Sequence, residues 1–320
     1  MPSLLPCRSV IGAATSVTTM QPLAPGSLRI LHLSDTHLTG DGALHQGSTD
    51  TATALDAVLA SAERIPDVGL VVVSGDVSED GSPQSYAVLR ERVGGWAERH
   101  GAALVTVPGN HDQRAGFRQV LANGHVLGAG GQPLMHTLEY LPPTVPVAGQ
   151  SVVEGRRIVT VDTSVPGAGY GLVADEALDR LRTMLSEPSD RGTVVVLHHT
   201  PLPAPTALHA ALQLRNADTL AEVVRGTDVR LVLGGHYHHH AAGTWAGVPV
   251  LVAPGVANDT DVVGAYDEES AHIDAGYLVV DLAADGSVWS TPVRVPRPDA
   301  DPLAFHHDAD TVTRIIDAAG

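Results

Sequence analysis

Residues 29–37 read Arg-Ile-Leu-His-Leu-Ser-Asp-Thr-His, a largely apolar run that turns polar without a pause. The same grammar recurs along the chain. Gly69–Val73 leads into Ser74-Gly75-Asp76, Ala103–Val107 into Pro108-Gly109-Asn110-His111-Asp112, Thr193–Leu197 into His198-His199, and Val229–Leu233 into Gly234-Gly235-His236-Tyr237-His238. Short apolar runs of this kind are buried strands. Helical patterns separate them: Leu55, Val58, Leu59 and Ala62 share one face of Thr51–Ala62 behind an Asp50 cap, and Ser82-Pro83 open a helix running to about Trp96. Asp175–Leu185 and Asp218–Arg225, the latter stopped by Gly226, are also helical. Arg157–Val161 pairs with Ser151–Glu154, Val248–Val252 is a further strand, and Tyr277–Leu282 with Ser287–Val293 forms a hairpin around Asp285-Gly286. The alternation predicts an α/β layered domain. Ligands of open α/β sheets gather beyond the carboxyl ends of the strands, so the five polar segments should converge on one site.

The 320 residues carry 36 Asp and Glu against 19 Lys and Arg, a net charge of −17, together with 17 His. That surplus repels a polyphosphate backbone, which disfavours a nucleic-acid polymer as partner and demands a local positive centre for any phosphate handled. A single cysteine, Cys7, excludes an intrachain disulfide and cysteine-based zinc or iron–sulfur sites. No apolar run reaches 18 residues, so no transmembrane segment is expected. Residues 1–27 are small, apolar and Ser/Thr/Pro-rich, with Arg8 interrupting the stretch rather than preceding it as in a signal peptide. They read as a flexible extension, with Met20 an alternative start and the cytoplasm the expected location. Residues 28–295 form one domain without an evident linker, and 296–320 read as an acidic tail in which Thr311–Ala319 can form a terminal helix.

Asp and His are oxygen and nitrogen donors that suit Mn, Fe, Zn, Co or Ni. Asp35 with His37, and His236 with His238, are i, i+2 pairs that point the same way in an extended segment. With Asp76, Asn110 and His198 they make seven donors, too many for one four-coordinate zinc and suited to two ions sharing a carboxylate. Two ions about 3.5–4 Å apart clamp the attacking and leaving oxygens of a phosphoryl displacement. Gly42 to Thr49 imitates a P-loop but has Ser48 where the phosphate-binding lysine belongs, so its glycines serve to lay a loop close over the site. His45 in that loop reads as solvated, with a place facing substrate as the alternative, and His239 and His240 as surface residues or neighbours of the ligands.

The blocks Asp-x-His, Gly-Asp, Gly-Asn-His-Asp, a strand-terminal His and Gly-His-x-His, in this order from Asp35 to His238, resemble the signature of the calcineurin-like metallophosphoesterase superfamily. Within it, the stretches from Leu31 to Leu38, Val161 to Gly167 and Leu220 to His238 are similar to the class III cyclic-nucleotide phosphodiesterases of bacteria. The closer similarity spans roughly Leu28 to Val256. The resemblance implies a four-layer sandwich of two facing mixed β-sheets flanked by helices. It implies a first metal held by Asp35, His37 and His238, a second held by Asn110, His198 and His236, and Asp76 bridging them, with Fe/Mn or Mn/Mn pairs expected and Zn possible. The family pattern favours His198 over His199, which would point away or shape the pocket. A hydroxide shared by the ions would attack phosphorus. His111 and Asp112 are the implied catalytic pair, His111 bonding phosphate and protonating the leaving alkoxide while Asp112 orients a histidine or the loop. The implied substrate is 3′,5′-cyclic AMP, with other cyclic nucleotides beside it and another small phosphodiester, pyrophosphate or monoester as the alternative, and the implied assembly is a homodimer. Aromatic residues make up only 3% of the chain, so few rings can stack on a base. Trp96, Tyr170, Tyr237 and Trp245 are the nearest candidates.

Overall fold

The computed structural model describes residues 20–134, 142, 144–297 and 302–319. The expected N-terminal extension lies outside the described residues up to residue 19. The first half runs β1 (Leu28–Leu33), α1 (Thr51–Ala62), β2 (Val68–Val73), α2 (Pro83–Leu89), a π-turn at Arg90–Gly94, α3 (Gly95–His100), β3 (Ala103–Thr106), α4 (Arg114–Leu121) and β4 (His125–Leu127). The second runs β5 (Ala148–Val153), β6 (Arg156–Val161), α5 (Asp175–Leu185), β7 (Thr193–His199), α6 (Ala207–Ala211), α7 (Ala217–Val224), β8 (Val229–Gly235), β9 (Ala241–Trp245) and β10 (Val248–Val252). The chain ends with β11 (Asp259–Thr260), β12 (Glu269–His272), β13 (Ala275–Leu282), β14 (Val288–Val295), β15 (Leu303–His307) and α8 (Ala309–Ala319).

Two six-stranded mixed sheets result, ordered β14-β13-β1-β2-β3-β4 and β5-β6-β7-β8-β10-β9. Strand alternation explains how they stack. Ile30, Leu70, Val72 and Val105 on one sheet meet Ile158, Val194, Val196, Leu231 and Leu233 on the other in a shared core. The intervening Leu31, Leu33, Val71 and Val73 face the other way and pack with Leu55 and Val58 of α1, Leu89 of α2 and Trp96 of α3. On the far side Val195, Leu197 and Val232 pack with Leu178 and Leu181 of α5 and Leu220 and Val224 of α7. Helix, sheet, sheet, helix is the order of layers, and the central strands are apolar throughout because both faces are covered. The expected caps are present: the Thr53 N–H donates to Asp50 at 3.0 Å and the Ser85 N–H to the Ser82 hydroxyl at 3.2 Å.

The C-terminal segment corrects the sequence reading. Rather than an acidic tail, residues 302–319 supply β15, the edge strand of a three-stranded sheet β11-β12-β15, and the expected terminal helix, which as α8 begins at Ala309 and packs against α6. Trp96 is also corrected: it is fully buried beneath sheet 1 and stacked on His100 at 3.7 Å, where no ligand reaches it.

Candidate metal centre

The parallel register of β1 and β2 sets Leu33 opposite Val73, so the Asp35 and Asp76 loops emerge side by side. Backbone bonds stitch them together: the Asp35 N–H donates to the Gly75 carbonyl at 3.1 Å and the His37 N–H to the Asp76 carbonyl at 2.9 Å. From the other sheet, the N–H groups of Val256 and Ala257 donate to the carbonyls of Ser34 and Asp35, each at 3.0 Å. The turns are tight. Asp35, His37, Asp76, His236 and His238 all adopt positive φ, at 53°, 42°, 44°, 75° and 49°. Non-glycine residues there carry strain, and its concentration on five predicted ligands marks a site whose side-chain directions outrank backbone comfort. A Cβ on Gly75 would fall on the His198 ring and one on Gly109 first on Asp76, so the two glycines make room for both ligands.

All seven predicted donors converge. Asp35, His37, Asp76 and His238 place one ligand atom each within 4.8 Å of one another. Asp76 Oδ2 lies 3.3 Å from His198 Nε2 and 3.6 Å from His37 Nε2, while Asp35 Oδ1 lies 3.5 Å from His238 Nε2. Asn110 Oδ1 is 3.2 Å from His198 Nε2, and His236 packs against His198 with 5.1 Å between ring centres. The tautomers follow from outer partners. The Nδ1 atoms of His37, His198 and His238 face Glu79 Oε2, the Ser74 carbonyl and Asn258 Oδ1 at 2.7, 2.8 and 2.7 Å. Donating there leaves each Nε2 lone pair turned to the carboxylates, the arrangement that orients metal-ligating histidines. His37 Nε2 and His238 Nε2 then oppose each other at 3.1 Å, and His236 Nε2 is buried with no hydrogen-bond partner among the described residues. A cation relieves both, so the donor set fits divalent metal. His199 is adjacent in sequence and in space, but its Nδ1 meets the Thr163 hydroxyl at 2.8 Å and its Nε2 the Gly169 carbonyl at 3.1 Å, which leaves no free lone pair.

Glu79, absent from the sequence reading, organises the rim. Its Oε2 lies 2.7 Å from His37 Nδ1, 3.1 Å from His111 Nδ1 and 3.3 Å from His45 Nδ1. Burial works against its charge, but the bonds from His111, His37 and His45 hold it well below the usual carboxylate range. His111 is opposed by burial too, yet the charge of Asp76 and the bond to Glu79 raise it to about 9. His45 is not the solvated residue expected: at 3% exposure it stacks 4.5 Å from His37, because a backbone pair between His45 and Thr49 folds its loop inward. Asp112 is a brace. Its carboxylate accepts the N–H groups of Val77, Ser78 and Gly109 at 3.1, 3.0 and 2.8 Å, so of the two roles expected it serves the loop, tying the Asp76 loop to the Asn110 loop. Glu79→Gln retains one acceptor for three imidazoles, so the half-saturating Mn²⁺ concentration for activity should rise about 10–100-fold, with turnover recovered at high metal. A metal titration of the variant measures this.

The donors open into a cleft at the surface. Its far wall carries Leu208, His209, Leu212, Glu269 and Phe305. Of the four aromatic candidates, Tyr237 sits behind His236 with its hydroxyl on the Leu202 carbonyl at 2.7 Å, Tyr170 lies against the Arg215 guanidinium at 3.2 Å, and Trp245 packs on the core of sheet 2. None of them lines the cleft; Phe305 does.

The profile of the calcineurin-like phosphoesterase family matches residues 28–240. The chain is similar to a probable cyclic nucleotide phosphodiesterase of Rhodococcus erythropolis, 36% identical over 236 residues that cover 73% of this chain and 72% of that protein. It is also similar to a cAMP/cGMP dual specificity phosphodiesterase of Mycobacterium tuberculosis, 35% identical over 240 residues, 74% of this chain and 70% of that protein. Among solved structures, a purple acid phosphatase from yellow lupin (Lupinus luteus) seeds superposes with a TM-score of 0.54 at 12% identity, covering 91% of this chain and 56% of that one, a likeness of fold. Among the described residues no helix is long and apolar enough to cross a membrane.

Proposed function

Because the chain belongs to the calcineurin-like phosphoesterase family, we propose that it is a dinuclear metal-dependent phosphodiesterase that hydrolyses 3′,5′-cyclic AMP and other cyclic nucleotides. The observation that carries this reading is the convergence of seven oxygen and nitrogen donors, two of them buried carboxylates, in a chain 36% identical to a probable cyclic nucleotide phosphodiesterase. Asp35, His37 and His238 would hold one ion and Asn110, His198 and His236 the other, with Asp76 within reach of both sets. Bound ions neutralise phosphate oxygens and lower the pKa of water toward neutrality. The donor chemistry suits Fe/Mn or Mn/Mn pairs and accommodates zinc. A homodimer in the cytoplasm belongs to the same reading.

His111 supplies the proton. Its side chain is 38% exposed at the cleft rim, and Glu79 fixes Nδ1 so that Nε2 is left to serve substrate. A water oxygen bonds to phosphorus and gives up a proton to solvent, the bond from phosphorus to the 3′ oxygen breaks, and that oxygen takes a proton from His111, which solvent then reprotonates, giving 5′-AMP. Asp76 assists by accepting the His111 backbone N–H at 2.9 Å, which sets the ring beside the donor cluster.

An activity panel tests the reading. Purified protein supplied with Mn²⁺ should hydrolyse 3′,5′-cyclic AMP readily and 4-nitrophenyl phosphate poorly. Brisk hydrolysis of bis(4-nitrophenyl) phosphate with negligible conversion of cyclic AMP would refute the cyclic-nucleotide assignment.

A further inference from the structure

The far wall of the cleft takes no part in holding metal or moving protons, yet it is chemically specific. Glu269 on β12 and Phe305 on β15 come from beyond residue 240, where the family match ends. Glu269 is only 3% exposed, and its Oε2 is buried with no hydrogen-bond partner among the described residues. The nearest imidazole does not satisfy the carboxyl: His209 Nδ1 lies 3.7 Å from Oε1 and is already engaged by the Thr206 hydroxyl at 2.9 Å. Burial raises the acid to about 7, the bond from Thr206 notwithstanding. A buried acceptor facing a cleft without a donor is costly, and a ligand that brings an N–H removes that cost.

The surroundings narrow the ligand. Leu208 and Leu212, one turn apart on and just after α6, line the cleft with the Phe305 ring, which His307 backs at 4.9 Å between ring centres with 25° between planes. The apolar side chains and the aromatic ring suit a flat group. The wall is also close to the chemistry, since His209 spans from Glu269 to the His236 ring, whose centre lies 5.7 Å away. A ligand anchored by phosphate at the donor cluster therefore extends along this wall.

We propose that Phe305 and Glu269 form the base subsite: Phe305 stacks the heterocycle and Glu269 accepts a hydrogen bond from an exocyclic amino group, so cyclic nucleotides with amino-bearing purines are preferred. This rests on the cyclic-nucleotide reading above and adds to it a rule of specificity. The subsite comes from short C-terminal elements outside the metal-binding strands, so base preference can vary while the phosphate chemistry stays fixed.

The test compares 3′,5′-cyclic AMP with the cyclic phosphate of purine riboside, which lacks the amino group, and with bis(4-nitrophenyl) phosphate, which has no donor. In the wild-type enzyme, KM for the amino-free nucleotide should exceed that for cyclic AMP by about 10–100-fold, the cost of leaving a buried acceptor unpaired. Glu269→Ala should raise KM for cyclic AMP by the same factor and leave both other substrates unchanged in KM and kcat, while Glu269→Gln, which keeps an acceptor oxygen and the side-chain shape, should fall between. Equal KM for the two nucleotides in the wild-type enzyme overturns the proposal without any variant. So does a Glu269→Ala effect that is equal for both nucleotides, which marks a structural carboxyl. Failure of cyclic AMP turnover alongside active aryl diester hydrolysis is a different result and refutes the underlying functional reading.

Discussion

Asp76→Ala lowers hydrolysis of 3′,5′-cyclic AMP by about 10³-fold or more, because it removes several kcal/mol of transition-state stabilisation at once. The carboxylate is the common neighbour of both halves of the cluster, 3.3 Å from His198 Nε2 and 3.6 Å from His37 Nε2. Its other oxygen fixes the His111 backbone at 2.9 Å. Truncation therefore loosens both metal positions and releases the proton donor, effects that no change at a terminal ligand combines. Asp76→Asn would separate them: the amide oxygen can still accept the His111 N–H, but the negative charge beside His37 and His198 is gone. Metal content after gel filtration should fall from two ions toward one or none in both variants, and turnover should collapse in both. Retained turnover in Asp76→Asn would assign the role of Asp76 to positioning His111 rather than to metal.

His111→Ala carries the second large effect, and its size depends on the leaving group. General acid catalysis is worth about 10²–10⁴-fold where the departing oxygen is a poor leaving group. The 3′ oxygen of cyclic AMP is such an oxygen, whereas 4-nitrophenolate leaves without help. Turnover of cyclic AMP by His111→Ala should fall through that range while turnover of bis(4-nitrophenyl) phosphate falls much less. Kinetics of the two substrates in one preparation of the variant separate proton donation from disturbance of the site. Equal losses on both substrates would assign His111 to binding phosphate instead of protonating the leaving oxygen.

The features legible in the sequence share a physical origin. Chemistry in this fold sits where an apolar strand ends, and the strands are buried on both faces, so a run such as Gly69–Val73 followed by Ser74-Gly75-Asp76 announces both the element and the site. Helix Thr51–Ala62 was legible because its cap and apolar stripe agree, and the structure reproduces its bounds. Glu79 was not legible: it lies three residues past Asp76 in a polar loop, where a carboxylate is ordinarily solvated, and only the fold brings three imidazoles to it. His45 was misread for the same reason, since its burial comes from closure of its own loop rather than from any apolar pattern. The far wall was hidden by length. Strands of four and five residues, Glu269–His272 and Leu303–His307, and the five-residue α6 are too short to show periodicity, and a polar composition made the last segment look like a tail.

Titration of chelator-stripped protein with Mn²⁺, with conversion of 3′,5′-cyclic AMP to 5′-AMP as the readout, tests the central claim most directly. Activity absent without metal and rising to a plateau at two ions per chain is the predicted result. A plateau at one ion per chain, or no conversion of cyclic AMP at any ratio, would contradict the dinuclear cyclic-nucleotide phosphodiesterase proposed.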